Sequence, residues 1–562
     1  MNEFKKNCVS YIQENDPIFT IIELNKLAKT NSKTQALTNV NFGSEMQECH
    51  KLRCVLKKLK VLFQVNARFR SFANKEVQVF CLSLKQLPLK KIKIHFCYCD
   101  LEDHILKLFS QNLRHLSFLT SLTLDFSFGR LRTKNVLPTS KGISMLFSGL
   151  KSLKFLSRLK IYFFNAEGFD NYCLEKLSSA LANFCSLQVL TLNFLNCSSI
   201  SDKSLSCFSK ALKKLTNLKK LELGINCCNA SNAGIQSLST GLAQMRSLSE
   251  LVLRLEVSES VNEEGRLESL ASTLKNLNFL SILDLDFSLW PLIYDKEVKT
   301  LSSCFEFLTS LKILKLSFPS SELMTDDSIK YLALGLASLT SMKSFDLSFS
   351  NCSKLQKIES LAHSFERLVS LSELKVHFKD CCNIENKGIE SVFSSFKNLN
   401  YLVDLELNFA GCKFINDSAL KLLVANFVYF PSLEKIKLNF SLNPEISDAV
   451  FENMVLNPSL LCLELNFTSC SKISDNGIKN LSLCLQKLKS LTSIKLFFSR
   501  NTQIGEEGIE SLILNITDLK FLNEILFYFA QCQHISEEKL ISICSKLKEV
   551  FILYNKHKSF RK

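Results

Sequence analysis

Twenty-two cysteines, eight histidines and a recurring cap–acid doublet are the residues of this chain that could do chemistry. Cys99, Cys197, Cys228, Cys352, Cys381, Cys412, Cys470 and Cys532 fall in one slot of a repeating segment, and Asn443 and Asn501 occupy the same slot. Thiols in number suggest a metal centre, but a metal shell needs several ligands converging on one point. One thiol in each period of about 31 residues makes a line instead. A slot shared by Cys and Asn suits a small buried side chain that bonds loop backbone. Cys227-Cys228 and Cys381-Cys382 are each a slot member with a neighbour; Cys97-Tyr98-Cys99 and Cys49-His50 are too isolated to be metal motifs.

The doublets are Ser201-Asp202, Asn262-Glu263, Thr325-Asp326, Asn416-Asp417, Ser447-Asp448, Ser474-Asp475 and Ser536-Glu537. Repeated carboxylates invite an acid–base reading. A cap oxygen followed by an acid is, however, what a helix start needs, with the acid at the positive end of the dipole. The histidines are scattered, with no His-x-x-x-His pair. The expectation is therefore no catalytic residue, no cofactor and no metal.

What must position these residues is a strand and a helix, repeated. Leu190-Thr191-Leu192-Asn193-Phe194, Phe345-Asp346-Leu347-Ser348-Phe349, Leu405-Glu406-Leu407-Asn408-Phe409 and Leu463-Glu464-Leu465-Asn466-Phe467 alternate apolar and polar residues, the period of a half-buried strand. Ile478, Leu481, Leu485 and Leu488 are spaced three and four apart, a helix with one buried stripe. Repetition then predicts parallel strands on the inner wall of an arc and helices outside. The third inward strand position is a Phe column, from Phe96, Phe126 and Phe163 to Phe467, Phe498 and Phe529, interrupted by Ile225 and Leu255. It accounts for much of the excess of 45 Phe and reads as a stacked core spine.

An apolar share of 46% and a charged share of 22% over 562 residues describe a folded, soluble chain. The net charge of +15 is spread rather than clustered, a solvated basic surface. Neither an uninterrupted apolar leader nor a stretch of ~20 apolar residues is present, so the expected location is the cytoplasm or nucleus, with reduced thiols and no membrane.

The pattern L-x-x-L-x-L-x-F-x-x-C-x-x-I-x-D-x-G-I-x-x-L-x-x-x-L-x-x-L is nearly complete from Leu460 to Leu488, including Cys470, Ile473, Asp475, Gly477 and Ile478. It resembles ribonuclease-inhibitor-like leucine-rich repeats. The resemblance implies an α/β horseshoe solenoid that binds proteins on its concave strand face or adjoining loops. The departures are Phe for the usual third aliphatic residue and a somewhat longer unit. The chain also looks like lineage-expanded families of single-celled eukaryotes, some carrying a kinase domain; here no Gly-rich phosphate loop or His-Arg-Asp loop occurs, and Asp125-Phe126 lies in a repeat strand. The expected organisation is a cap with degenerate repeats over residues 1–89, repeats over 90–549, and a capping strand with a basic tail over 550–562. Val40 with Phe42, and Val61, Phe63 and Val65, are the degenerate strands; an F-box-like helical adaptor is the competing reading of this end.

Partner-binding candidates are the outward strand residues Lys160, Tyr162, Lys375, His377, Glu406, Asn408, Lys437 and Asn439, with Arg130 and Arg132 in a basic insertion within the unit starting at Leu122. Both signs occur on this face, which favours protein over a phosphate backbone. Trp290, the only Trp, sits in the Cys slot and is either an exposed anchor or a packing residue. These features predict a non-enzymatic, monomeric protein-interaction scaffold, the alternative being a regulator or adaptor of an enzyme, of GTPase-activating or ubiquitin-ligase type.

Overall fold

A computed structural model describes residues 39–42, 64–70, 74–85, 87–97, 101–126, 138–163, 168–195, 197, 200–226, 230–256, 265–288, 290, 293–319, 322–532, 551–555 and 558–561. The chain falls into two compact units, Met1–Leu248 and Ser249–Lys562.

In the first unit the order is β1 (Asn39–Phe42), β2 (Gln64–Arg70), α1 (Asn74–Leu84), β3 (Lys91–Cys97), α2 (Asp103–Leu113), β4 (Ser121–Asp125), α3 (Ser140–Leu150), β5 (Arg158–Tyr162), α4 (Asn171–Leu181), β6 (Val189–Phe194), α5 (Asp202–Leu212), β7 (Lys220–Asn226) and α6 (Asn232–Leu242). Each strand pairs in parallel with the next. The second unit runs β8 (Glu250–Glu256), α7 (Arg266–Leu274), β9 (Ile282–Asp286), α8 (Asp295–Ser302), β10 (Ile313–Pro319), α9 (Asp326–Leu336), β11 (Ser344–Ser350), α10 (Ser360–Arg367), β12 (Glu373–His377), α11 (Asn386–Ser395), β13 (Asp404–Asn408), α12 (Asp417–Asn426), β14 (Lys435–Asn439), β15 (Cys462–Asn466), α13 (Asp475–Leu485), β16 (Ser493–Phe497), α14 (Glu506–Ile516), β17 (Glu524–Tyr528), β18 (Phe551–Asn555) and β19 (Lys558–Arg561). Its strands are parallel through β18; β19 turns back antiparallel where the sequence suggests only a tail. Each unit is thus an α/β leucine-rich repeat solenoid. Between β14 and β15 only a 3-10 turn, Asp448–Val450, stands where other repeats carry a helix.

The Phe column is the spine of both units. In the first, Phe96, Phe126 and Phe163 stack with centroids 5.0 and 4.6 Å apart. In the second, Phe378, Phe409 and Phe440 follow at 5.6 and 5.8 Å, and all three are buried. Burying each ring contributes about 1.5–3 kcal/mol.

Among the described residues the Cys slot has one job. Its side chain donates to the carbonyl of the Phe-column residue one turn earlier. Cys197 Sγ reaches Phe163 O at 3.0 Å, Cys412 Sγ reaches Phe378 O at 3.0 Å, and Asn501 Nδ2 reaches Phe467 O at 2.9 Å. Trp290 does the same: it is 1% exposed and its Nε1 donates to Leu255 O at 2.7 Å. It is a packing residue, not an anchor. Desolvation pushes the Cys412 and Cys470 thiols up to about 12.

The doublet acids do more than meet their own helix dipole. Asp202 Oδ1 and Oδ2 accept from Ser231 N and Oγ of the following turn at 2.8 and 2.7 Å. Asp448 holds Ser474 identically at 2.7 and 2.6 Å. Ser231 and Ser474 then cap their own helices, accepting from Ala233 N and Asn476 N. Neighbouring helix starts lie within reach of a carboxylate, so a local cap becomes a clamp between turns. Asn262-Glu263 and Ser536-Glu537 lie outside the described residues, as do Cys99 and Cys228.

Candidate functional site

The apolar columns face the helices, so the alternate strand positions build an outward face in each unit. In the second unit its central column is Asp284, Lys315, Asp346, Lys375, Glu406, Lys437, Glu464 and Lys495, one residue from each of β9 to β16. The sign alternates at every step. Strands about 4.8 Å apart make each charge the neighbour of two opposite ones. Lys437 Nζ lies 3.8 Å from Glu406 Oε2, and at the ends Arg254 Nη2 lies 3.1 Å from Asp284 Oδ2. Pairs along a strand or across to the next column add to it: Lys375 Nζ is 2.6 Å from Glu373 Oε1, and Lys495 Nζ is 2.8 Å from Glu524 Oε1.

Burial pushes the Asp284, Asp346 and Asp404 carboxyls above the ordinary range, against the pull of Arg254, His377 and Lys375 respectively. Burial pushes Glu373 the same way, but hydrogen bonds from Lys375 and Ser344 outweigh it and hold the group low.

The outward residues of the first unit follow another rule. Lys91 and Lys93 stand on β3, Arg158 and Lys160 on β5, and Ser121 and Thr123 on β4 between them. Lys220 follows on β7. Against these five cations the described outward residues carry two carboxylates, Asp125 and Glu222. Asp125 Oδ2 is 3.0 Å from His95 Nδ1, and Glu222 Oε2 accepts from Thr191 Oγ1 at 3.4 Å. Burial lowers the Lys160 ammonium, against the pull of Glu222, and Lys220, Arg158 and Lys93 lower it further. Asn66 Oδ1, on a side chain 9% exposed, and His95 Nε2 are buried without a hydrogen-bond partner.

The sequence-predicted residues therefore separate. Lys160 and Tyr162 belong to the first unit's face. Lys375, His377, Glu406, Asn408, Lys437 and Asn439 come together on β12, β13 and β14 of the second. Arg130 and Arg132 lie outside the described residues. Asn408 and Asn439 have local work that the sequence reading missed: each Oδ1 accepts from the backbone two residues on, Ala410 N and Ser441 N, both at 3.2 Å. This Asx turn ends the strand. The strict alternation of sign was also missed, although it is visible by reading one position per period. On the loops after β12 to β15 an open groove of about 530 Å³ is lined by Asp380, Cys382, Gly411, Lys413, Leu442, Pro444 and Ser469.

Among the described residues no cluster of three or more His, Cys, Asp or Glu could hold a metal ion, and no helix is long and apolar enough to cross a membrane. No family model matches the sequence, and no curated protein matches it. Solved structures align with parts of the chain. A crystal structure of the Rad7 and Elc1 complex in yeast aligns at 18% identity and TM-score 0.40 over 75% of this chain and 90% of that one. The TLR13–ssRNA13 complex aligns at 18% and 0.43, over 89% of this chain and 61% of that one. An internalin (InlF) from Listeria monocytogenes aligns at 19% and 0.32, over 91% and 94%.

Proposed function

We propose that this protein is a non-enzymatic scaffold of the ribonuclease-inhibitor-like leucine-rich repeat type, working inside the cell and binding other proteins through its strand faces. One observation carries the reading. Strand after strand, the register sets charged side chains, half-buried or exposed, in fixed columns on one face, while the apolar columns are spent on the core. Such a surface is preorganised for recognition, because its side chains are ordered before a partner arrives. Lys375, His377, Glu406 and Lys437 form the candidate contact set of the second unit, and Lys160 with Tyr162 that of the first.

Affinity capture from extract of the source cells with the full chain, followed by mass spectrometry, tests this. The expected result is a protein that is retained by the natural chain and lost with the triple reversal Lys375→Glu, Glu406→Lys, Lys437→Glu, or with reversal of Lys160. Failure to retain any protein, or retention indifferent to both sets, overturns it.

A further inference from the structure

We infer that the outward strand face of the first unit is a docking surface for an acidic segment of a protein partner, one that presents several carboxylates in an extended stretch. The inference rests on the scaffold reading and adds the partner's chemistry and the place where it binds.

Lys91, Lys93, Arg158 and Lys160 stand at the corners of a rectangle whose centre is Ser121 and Thr123. Two strand spacings separate β3 from β5, roughly 10 Å, and two residues along a strand span roughly 7 Å. A single small anion is too small to sit close to all four corners, whereas carboxylates on successive side chains of a peptide can meet them separately. The hydroxyls between the corners add neutral donors.

The contrast with the second unit shows that this arrangement is not imposed by the fold. There the same column alternates in sign over eight strands; here Lys93 and Lys160 are separated by the neutral Thr123, and the column reaches its one acid, Glu222, only on β7, while Lys220 follows in the neighbouring column of Lys91 and Arg158. Burial lowers the Lys160 ammonium, Glu222 offsets part of this, and Lys220, Arg158 and Lys93 lower it further, so an added carboxylate would favour its charged form. The two acids and the single aromatic side chain, Tyr162, among the described outward positions favour a peptide over a nucleic acid strand, which needs one sign of charge and stacking rings.

The test is fluorescence anisotropy of the full chain with labelled deca-glutamate, deca-lysine and deca-uridylate. Deca-glutamate is expected to bind and deca-lysine not to. The double variant Lys91→Glu, Arg158→Glu changes two exposed side chains, so the fold should persist, as a thermal melt will confirm. It is expected to weaken deca-glutamate binding by at least about tenfold. Lys213→Glu with Lys214→Glu, at the end of α5 in the same unit, makes the same charge change off the strand face and should alter binding less than about twofold. No binding of deca-glutamate, equal loss in both variants, or tighter binding of deca-uridylate would each overturn the inference. A captured protein that ignores the first unit's face would sink it while leaving the scaffold reading intact.

Discussion

Replacing Gly477 by Ala should destabilise the second unit, although helix propensity alone argues the opposite. Gly477 is the third residue of α13, and exchanging Gly for Ala in a helix gains up to about 1 kcal/mol. A Cβ at this position would, however, stand 2.3 Å from Asp448 Oδ1, far inside contact distance. That carboxylate is not a flexible end. It is held by Ser474 N at 2.7 Å and Ser474 Oγ at 2.6 Å, the clamp joining two turns. To accommodate the methyl group, Asp448 must swing away and surrender these bonds, each contributing roughly 1.5–3 kcal/mol because the acceptor is charged. Set against the propensity gain, the net loss is about 2–5 kcal/mol. In an Asp448→Ala background the obstacle and the bonds are already gone, so the same Gly477→Ala change should be neutral or mildly stabilising. The coupling between the two sites then exceeds about 2 kcal/mol, large for a double-mutant cycle. Urea unfolding followed by the fluorescence of Trp290, a buried reporter in the same unit, gives all four free energies. If Gly477→Ala raises the midpoint, or costs as much without Asp448 as with it, the clamp is not what these repeats use to fix neighbouring helix starts.

Three further outcomes can be measured the same way. Asn443 donates to Phe409 O and Phe440 O at 2.9 and 3.0 Å but leaves its own Oδ1 buried and unmatched. Asn443→Cys should therefore stay within about 1 kcal/mol of the natural chain, while Asn443→Ala, which strands a carbonyl, costs about 1–3 kcal/mol; equal effects would refute the donor role. Leu442 holds a φ of 62° with a half-exposed side chain, so Leu442→Asn, better suited to the left-handed region, should stabilise by roughly 0.5–1 kcal/mol, and a loss would show the conformation to be unstrained. Desolvation raises Cys304, Cys412 and Cys470 from 9.0 to about 12. Because the folded value lies above the unfolded one, their contribution is complete below pH 9 and declines between pH 9 and 12, by about 1.4 kcal/mol per pH unit per thiol. Cys470→Asn should make that alkaline decline shallower; an unchanged slope would show that the thiol is not protected.

Much of this architecture was legible because a repeat writes each structural demand many times. The Phe column and the Cys slot could be read as core and loop donor because Phe349, Phe409 and Phe467, or Cys412 and Cys470, return at one phase of one period. What escaped reading depends on proximity between turns rather than on position within one. Asp202 looks like an ordinary first-turn acid until Ser231 is found beside it, with Gly234 bare because Asp202 Oδ1 would meet its Cβ at 2.4 Å. The residue before the Cys slot adopts positive φ at Asn351, Asp380, Leu442, Ser469, Arg500 and Gln531 as well as Gly411, yet only Gly411, Asn351 and Asp380 are residue types that mark that conformation. The backbone demand is constant and the side chain is not, so no column appears. The missing helix between β14 and β15 was hidden likewise, since Ser447, Asp448 and Val450 keep the cap, the acid and the apolar residue of a helix too short to form.

The candidate site was less legible, and the reason lies in what a column of charges must satisfy. In an in-register parallel sheet, like charges on adjacent strands are unfavourable and opposite charges favourable by about 0.2–1 kcal/mol per pair. A run of charged residues at one phase is therefore pressed toward alternation by folding alone, and the sequence Asp346, Lys375, Glu406, Lys437, Glu464, Lys495 needs no ligand to explain it. Mixed sign, taken at face value, suggests a protein-binding wall, but in the second unit it is first a stability device. Information about a partner resides where alternation is abandoned at a cost. Lys93, Thr123 and Lys160 keep two cations in a column without an intervening acid, and burial makes one of those ammonium groups harder to hold. Pairing within the sheet does not account for that arrangement, which is why the docking proposal is made for the first unit's face.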